Sequence, residues 1–273
     1  MKRSVLVLLV TSAITVDAEA QAETRHGLSV EAEIFDYAYR EELDGTTIVR
    51  DDGLFGGAAA SYVESVGGGV FLRGRLAVSA GAVDYRSNEG SSIDDVSQSI
   101  GQLELHLGYD IALGSGATLT PFAGLGSRFL SDNSGGREST DGLLGYDREI
   151  SYGYIPMGAT VTIPVRHRTL LSLTAQYNWF IDGDAKSKFS DVSSELPDVK
   201  LELDEGEGFE ANAAIAFPVG SQQITVGPFL RSWRIGRSDS FLLLNPDDLA
   251  EGIEIFEPRN RTTELGLRIG FAF

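Results

Sequence analysis

Cysteine is absent from the 273 residues, so the chain is neither stapled by disulfides nor anchored as a lipoprotein. Long apolar runs are also missing. No stretch approaches the roughly 20 residues that a membrane helix needs. Basic residues are scarce: 22 Lys and Arg face 40 Asp and Glu, a net charge of −18. That balance excludes nucleic acid as a partner, because phosphate-binding surfaces are basic. What the chain has in quantity is 32 Gly and 14 Phe. With Val, Thr, Tyr and Ile in the segments between the glycines, this composition suits an all-β protein with many turns. Neither a linker nor a low-complexity block interrupts it, and we read one domain.

The N-terminus reads as a secretory signal. Lys2 and Arg3 precede a short apolar core, Val5 to Val10, and a small-residue stretch follows. Ala18-Glu19-Ala20 and Ala20-Gln21-Ala22 both fit the cleavage pattern. We therefore expect residues 1–22 to be a signal peptide and 23–273 to be a β-barrel domain. Removing Lys2, Arg3, Asp17 and Glu19 leaves the net charge unchanged.

The remaining chain shows period-two alternation in ten segments: 27–40, 54–66, 69–85, 96–112, 117–131, 149–163, 169–182, 207–218, 223–237 and 260–273. That period belongs to strands, whose successive side chains point to opposite faces. Segments this long suit tilted membrane strands better than soluble sheets. Charge decides which face meets lipid. An Arg or Lys facing hydrocarbon at mid-bilayer costs about 2–4 kcal/mol, and a lumen position costs little. In the third segment Val70, Leu72, Leu76 and Val78 share one phase, and Arg73 and Arg75 take the other. In the fourth, Leu103, Leu105 and Leu107 oppose Glu104 and His106. In the last, Leu265, Leu267, Ile269, Phe271 and Phe273 oppose Glu264 and Arg268. The first segment is less regular. Phe35, Tyr37 and Tyr39 fall in the inward phase and Asp36 in the outward one, which implies a bulge or a strand already clear of the bilayer. Connections near 66–69, 112–117, 163–169 and 218–223 are short, and those near 41–53, 86–95, 131–148, 183–206 and 238–259 are long. The alternation predicts an up-and-down, closed antiparallel transmembrane β-barrel of about ten strands, with short periplasmic turns and long outer loops. A soluble sandwich or a lipocalin-like barrel is the competing architecture.

Four stretches resemble the uncharacterised porin-like outer-membrane β-barrel proteins of Gram-negative bacteria: YDREISYGYIPMG at 146–158, KSKFSDVS at 186–193, PFLRSWRIGRSDS at 228–240 and EPRNRTTELGLRIGFAF at 257–273. The resemblance implies export to the outer membrane, with membrane lipid and lipopolysaccharide as surroundings. It also implies that Leu267, Ile269, Phe271 and the terminal Phe273 are the signal read by the barrel-assembly machinery. It implies no activity and no cofactor.

The inward phase collects Glu31, Glu33, Arg73, Arg75, Glu104, His106, Arg128, Glu210, Arg231, Glu264 and Arg268. Ten strands enclose little space, so we expect these groups to pair across the lumen and largely plug it. A structural or surface-interacting role follows. A narrow channel for small solutes is the alternative, and an outer-membrane enzyme, protease or lipid-modifying, is a third. Omptin-type proteases are similar in strand number and size and need an Asp–His pair at the outer rim. Here His26 and His167 fall at the periplasmic end and His106 within the lumen, so that reading is poor. A Ser–His couple would need Ser79 beside His106. The acidic loops offer a weak divalent-cation candidate at Asp204, Glu205 and Glu207, which lacks the ligand spacing of a calcium loop. Tyr37, Tyr39, Tyr85, Tyr152, Tyr154 and Trp233 are expected to pack under the loops, and Phe129 and Trp179 to face outward in an interfacial girdle.

Overall fold

The computed structural model of the chain describes residues 26–166, 168–220, 222–244 and 252–273; the expected signal peptide and His167 lie outside them. The strands are β1 (His26–Leu43), β2 (Thr46–Gly67), β3 (Val70–Ser87), β4 (Ser92–Tyr109), β5 (Ile111–Gly114), β6 (Ala117–Asn133) and β7 (Arg148–Arg166). They continue as β8 (Thr169–Ser187), β9 (Val199–Leu203), β10 (Gly206–Val219), β11 (Gln222–Ile235), β12 (Ser240–Leu244), β13 (Gly252–Phe256) and β14 (Arg259–Ala272). Ten of these are staves, paired in the order β1-β2-β3-β4-β6-β7-β8-β10-β11-β14. β14 pairs back onto β1, so the sheet closes and leaves no edge. The short β5 continues β4 along β6, β9 continues β10 along β8, and β12 and β13 form a separate hairpin.

Alternation places the oily face outside. Leu103, Leu105 and Leu107 of β4 and Leu265, Leu267 and Ile269 of β14 are all exposed. Exposed apolar area on this scale is what a hydrocarbon solvent accepts and water does not. Arg73 and Arg268 both point inward and line the same interior cavity. Trp179 and Phe129 face outward, 60% and 53% exposed.

Two expectations need correction. Pairing of β1 with β2 runs without a register shift from His26 to Glu41, so no bulge separates the apolar half of β1 from its aromatic half. Phe35, Tyr37 and Tyr39 are buried inside the barrel, and Asp36 is outside. The first outer connection is also shorter than expected. β1 and β2 continue toward each other and turn at Asp44-Gly45, whose φ angles of 51° and 77° are both positive. Such a pair fits the two-residue hairpin turn whose twist matches the strands, and Gly takes it without strain. The β3–β4 connection likewise shrinks to 88–91. Outward positions in these extensions carry charge: Asp52, Asp84, Asp182, Glu207, Arg234 and Arg261 are exposed. The wall therefore rises past its apolar belt at the end opposite the termini, hereafter the loop end.

Candidate functional site

The inward positions of β1 sample the interior from the terminal end upward: Glu31, Glu33, Phe35, Tyr37, Tyr39 and Glu41. In that order they pass through four successive levels. At the terminal end lies a cavity of about 510 Å³. Thr118, Thr160, Thr174 and Asn212 line it together with Glu31, Arg73, Arg75, His106 and Arg268. His106 stacks on Phe122 at 4.8 Å between centroids and stands 3.6 Å from Glu104. It pairs in register with Arg73, whereas Ser79 lies opposite Ile100, so the Ser79–His106 couple considered from sequence does not form.

Above that cavity the charges interlock. Arg128 and Arg231 each donate to one oxygen of Glu264, and all three side chains are buried. Arg231 Nε also reaches Glu210 at 3.2 Å. Arg268 meets Glu33 at 3.3 Å, Glu31 at 3.5 Å and Glu210 at 3.6 Å, and Arg75 meets Glu31 at 3.4 Å. Glu104 accepts from Tyr154 Oη at 2.9 Å, Gln176 Nε2 at 3.0 Å and Gln102 Nε2 at 3.2 Å. The lower interior thus holds five guanidinium groups (Arg73, Arg75, Arg128, Arg231, Arg268) and five carboxylates (Glu31, Glu33, Glu104, Glu210, Glu264). Burial of a charge is tolerated when it is paired and hydrogen-bonded, and the carboxylates pair with Arg75, Arg128, Arg231 and Arg268.

Next comes a layer of rings. Phe35 stacks on Phe55 at 5.4 Å, and Tyr37 packs on Phe55 at 4.6 Å. Across the barrel Trp233 meets Tyr152 and Tyr154, both at 4.9 Å. Leu130 packs against both groups and joins them. Small residues make room. A Cβ on Gly126 would lie 2.3 Å from the Tyr154 ring, and one on Gly208 would lie 2.6 Å from Trp233. Ring centroids at such distances are ordinary aromatic packing, and these rings are almost completely buried.

The loop end has a different character. Arg148 donates to Glu41 and, at 3.2 Å, to Glu257. Its guanidinium lies over the Tyr39 ring, and the Tyr39 hydroxyl donates to the same two carboxylates. Burial pushes Glu257 up to about 7; Arg148 draws it back and Glu41 adds to the rise. Nearby, Gln98 Nε2 donates to both Asp51 (3.1 Å) and Asp132 (2.7 Å). The segment 134–147 folds over this floor. Ser139 Oγ donates to Leu143 O at 2.9 Å, Asp147 Oδ1 accepts from Gly135 N at 2.8 Å, and Ser91 Oγ donates to Asp141 at 2.7 Å. Beneath it a cavity of about 260 Å³ remains, with Val49, Tyr85, Val96, Leu143 and Tyr146 on its walls.

These features can be set beside known proteins. No protein-family model matches the chain, and no curated protein matches it. Among solved structures, the outer membrane protease OmpT from Escherichia coli superposes with a TM-score of 0.57 at 10% identity, over 93% of this chain and 100% of that one. The fold is that of an outer-membrane β-barrel. The translocator domain of the autotransporter NalP from Neisseria meningitidis matches at 10% identity and a TM-score of 0.41, over 92% and 89% of the two chains. A major outer membrane protein from Thermus thermophilus matches at 14% identity and 0.37, over 91% and 100%.

Within this barrel the five guanidinium groups and five carboxylates named above, with His106, sit on the interior side of their strands. The loop-end set, Glu41, Asp51, Asp132, Arg148 and Glu257, escapes sequence reading because its members sit in segments read as loops. The signal that reveals it is Asp44-Gly45, which makes strands of both flanks. Asp204, Glu205 and Glu207 are exposed, and Glu207 faces Arg234 at 3.6 Å and accepts from Tyr177 at 3.3 Å. Among the described residues no group of three or more His, Cys, Asp or Glu is arranged to hold a metal. Phe241 and Leu242, in the β12 half of the β12–β13 hairpin, are exposed.

Proposed function

We propose that the chain is exported by its N-terminal signal and resides in the outer membrane of a Gram-negative bacterium as a plugged barrel, with a structural or surface-interacting role. One observation carries the reading. The Arg128–Glu264–Arg231 bridge and the rings of Phe35, Phe55, Tyr154 and Trp233 fill successive levels, and all seven side chains are buried. An ion crossing these levels would have to displace paired charges and packed rings. Lipid and lipopolysaccharide are the partners of the apolar belt and the rim above it. Leu267, Ile269, Phe271 and Phe273 are the segment offered to the assembly machinery. Exposed carboxylates at Asp204, Glu205 and Glu207 leave room for weak divalent-cation contacts with anionic headgroups.

Two other readings have less support. A channel is favoured by the 510 Å³ cavity, but that space ends at the ion-paired level. A protease is favoured by the fold of OmpT, and no histidine among the described residues stands at the loop end. Single-channel recording in planar bilayers tests the proposal: purified folded protein gives a flat trace, and discrete conductance steps from it would replace plug with pore.

A further inference from the structure

Charge is balanced in the lower interior and unbalanced at the loop end. There Glu41, Asp51, Asp132 and Glu257 surround the single guanidinium of Arg148, which Glu41 and Glu257 already engage. The remaining two carboxylates meet on one amide nitrogen, Gln98 Nε2. Each keeps its Oδ1 without a hydrogen-bond partner, although Asp51 is only 1% exposed. A carboxylate oxygen buried without a donor costs far more than one in water. Both groups line a chamber of about 20 Å³, which is room for one group the size of a water molecule. Asp132 and Arg148 are also shared with the 260 Å³ cavity under the 134–147 segment, whose walls mix apolar side chains such as Val49, Val96 and Leu143 with polar ones such as Ser91 and Ser139.

We propose that the loop end is a binding site for a primary alkylammonium, its charged head between Asp51 and Asp132 and its stem in the larger cavity. The chemistry narrows the choice. Two acceptor oxygens ask for a donor, and their charge asks for a cation. An ammonium supplies three donors on a compact centre, whereas a planar guanidinium needs more room than the chamber offers. A metal ion would find too few ligands, since the inward-facing Gln98 group is itself a donor. The apolar walls at Val49, Val96 and Leu143 then take an aliphatic stem, as ligand sites with a few fixed polar groups do. Such a group exists on small aliphatic amines and on lysine side chains.

The test is calorimetry on the full folded chain in detergent at pH 8, with n-pentylammonium, Nα-acetyl-lysine methylamide and neutral n-pentanol as separate probes. We expect saturable binding of at least one ammonium probe and none of n-pentanol. Saturation by n-pentylammonium alone assigns the site to small amines, and saturation by the lysine derivative assigns it to side chains. Asp51→Asn and Asp132→Asn should each weaken binding at least about tenfold, the order of one charge-assisted hydrogen bond. Should either variant misfold, the wild-type protein still decides: n-pentylammonium must raise its thermal midpoint relative to sodium at equal ionic strength. Equal uptake of n-pentanol, undiminished binding by the folded variants, or no midpoint shift would overturn the proposal.

Discussion

At the scale of single residues the lumen is governed by who is left unpaired. Glu264 is fully buried and serves two guanidinium groups at once. Replacing it with Ala strands Arg128 and Arg231 together. Breaking a buried pair this way costs about 3–5 kcal/mol. Urea unfolding in lipid vesicles, followed by tryptophan fluorescence, to which Trp233 beside Arg128 and the outward Trp179 both contribute, should show that loss for Glu264→Ala. Arg86→Ala, at an exposed pair 2.8 Å from Asp94, should cost no more than about 1 kcal/mol. Similar losses for the two variants would mean that the interior bridge is solvated. Glu257 behaves in the opposite sense. Its pKa is raised to about 7 from an ordinary 4.5, so its contribution to stability is full below 4.5 and is lost as pH rises through 7. Hydrogen-exchange protection factors at the β13–β14 junction, in which the intrinsic pH dependence of exchange is divided out, should accordingly be higher at pH 5 than at pH 8, and Glu257→Gln should remove that difference. An unchanged pH profile in the Gln variant would assign the effect elsewhere. Period two reveals that Arg128 and Glu264 point inward. It does not reveal that they meet, because they are 136 residues apart and only the stagger of a closed sheet brings them together.

At the scale of the strand, the solvent changes along a single face. On the outward face of β4, Ser97 and Ser99 give way to Gly101 and then to Leu103, Leu105 and Leu107. If that face passes from water into hydrocarbon, the cost of a cation depends on position. Leu103→Arg should destabilise by about 2–4 kcal/mol and Ser97→Arg by about 0–1 kcal/mol, measured as unfolding free energies in vesicles. Equal costs at the two positions would show that no depth gradient exists. The same transition explains what the sequence conceals. Below the rim one face is oily and the other polar, so alternation is plain. Above it both faces carry charge, and Glu41, Glu42, Asp51 and Asp52 look like a loop. Yet Glu41 and Asp51 are buried in the lumen, while Glu42 and Asp52 face out. Composition alone therefore ended β1 and β2 too early, and with them the loop-end cavity was out of reach.

At the scale of the molecule, the question is whether the two cavities communicate. One is lined by Thr160 and opens toward the termini, and the other is lined by Ser91 under the 134–147 segment. Between them lie the ion-paired level and the ring level, the latter continuous across the barrel through Leu130. Packed interiors have few voids larger than a water molecule, so a solute on one side should not reach the other. The absence of cysteine makes this directly measurable, because any introduced thiol is the only one. In vesicles with a single orientation, Thr160→Cys should react with a small impermeant methanethiosulfonate added on the terminal side and stay protected from the loop side. Ser91→Cys should show the reverse pattern. Rings and bridge act in series, so loosening one level should leave the other as a barrier. Phe35→Ala in the Thr160→Cys background is therefore expected to keep its one-sided labelling. Reaction of Thr160→Cys from both sides in otherwise unaltered protein would mean that the levels part often enough to pass a solute, and the barrel would then be a slow pore.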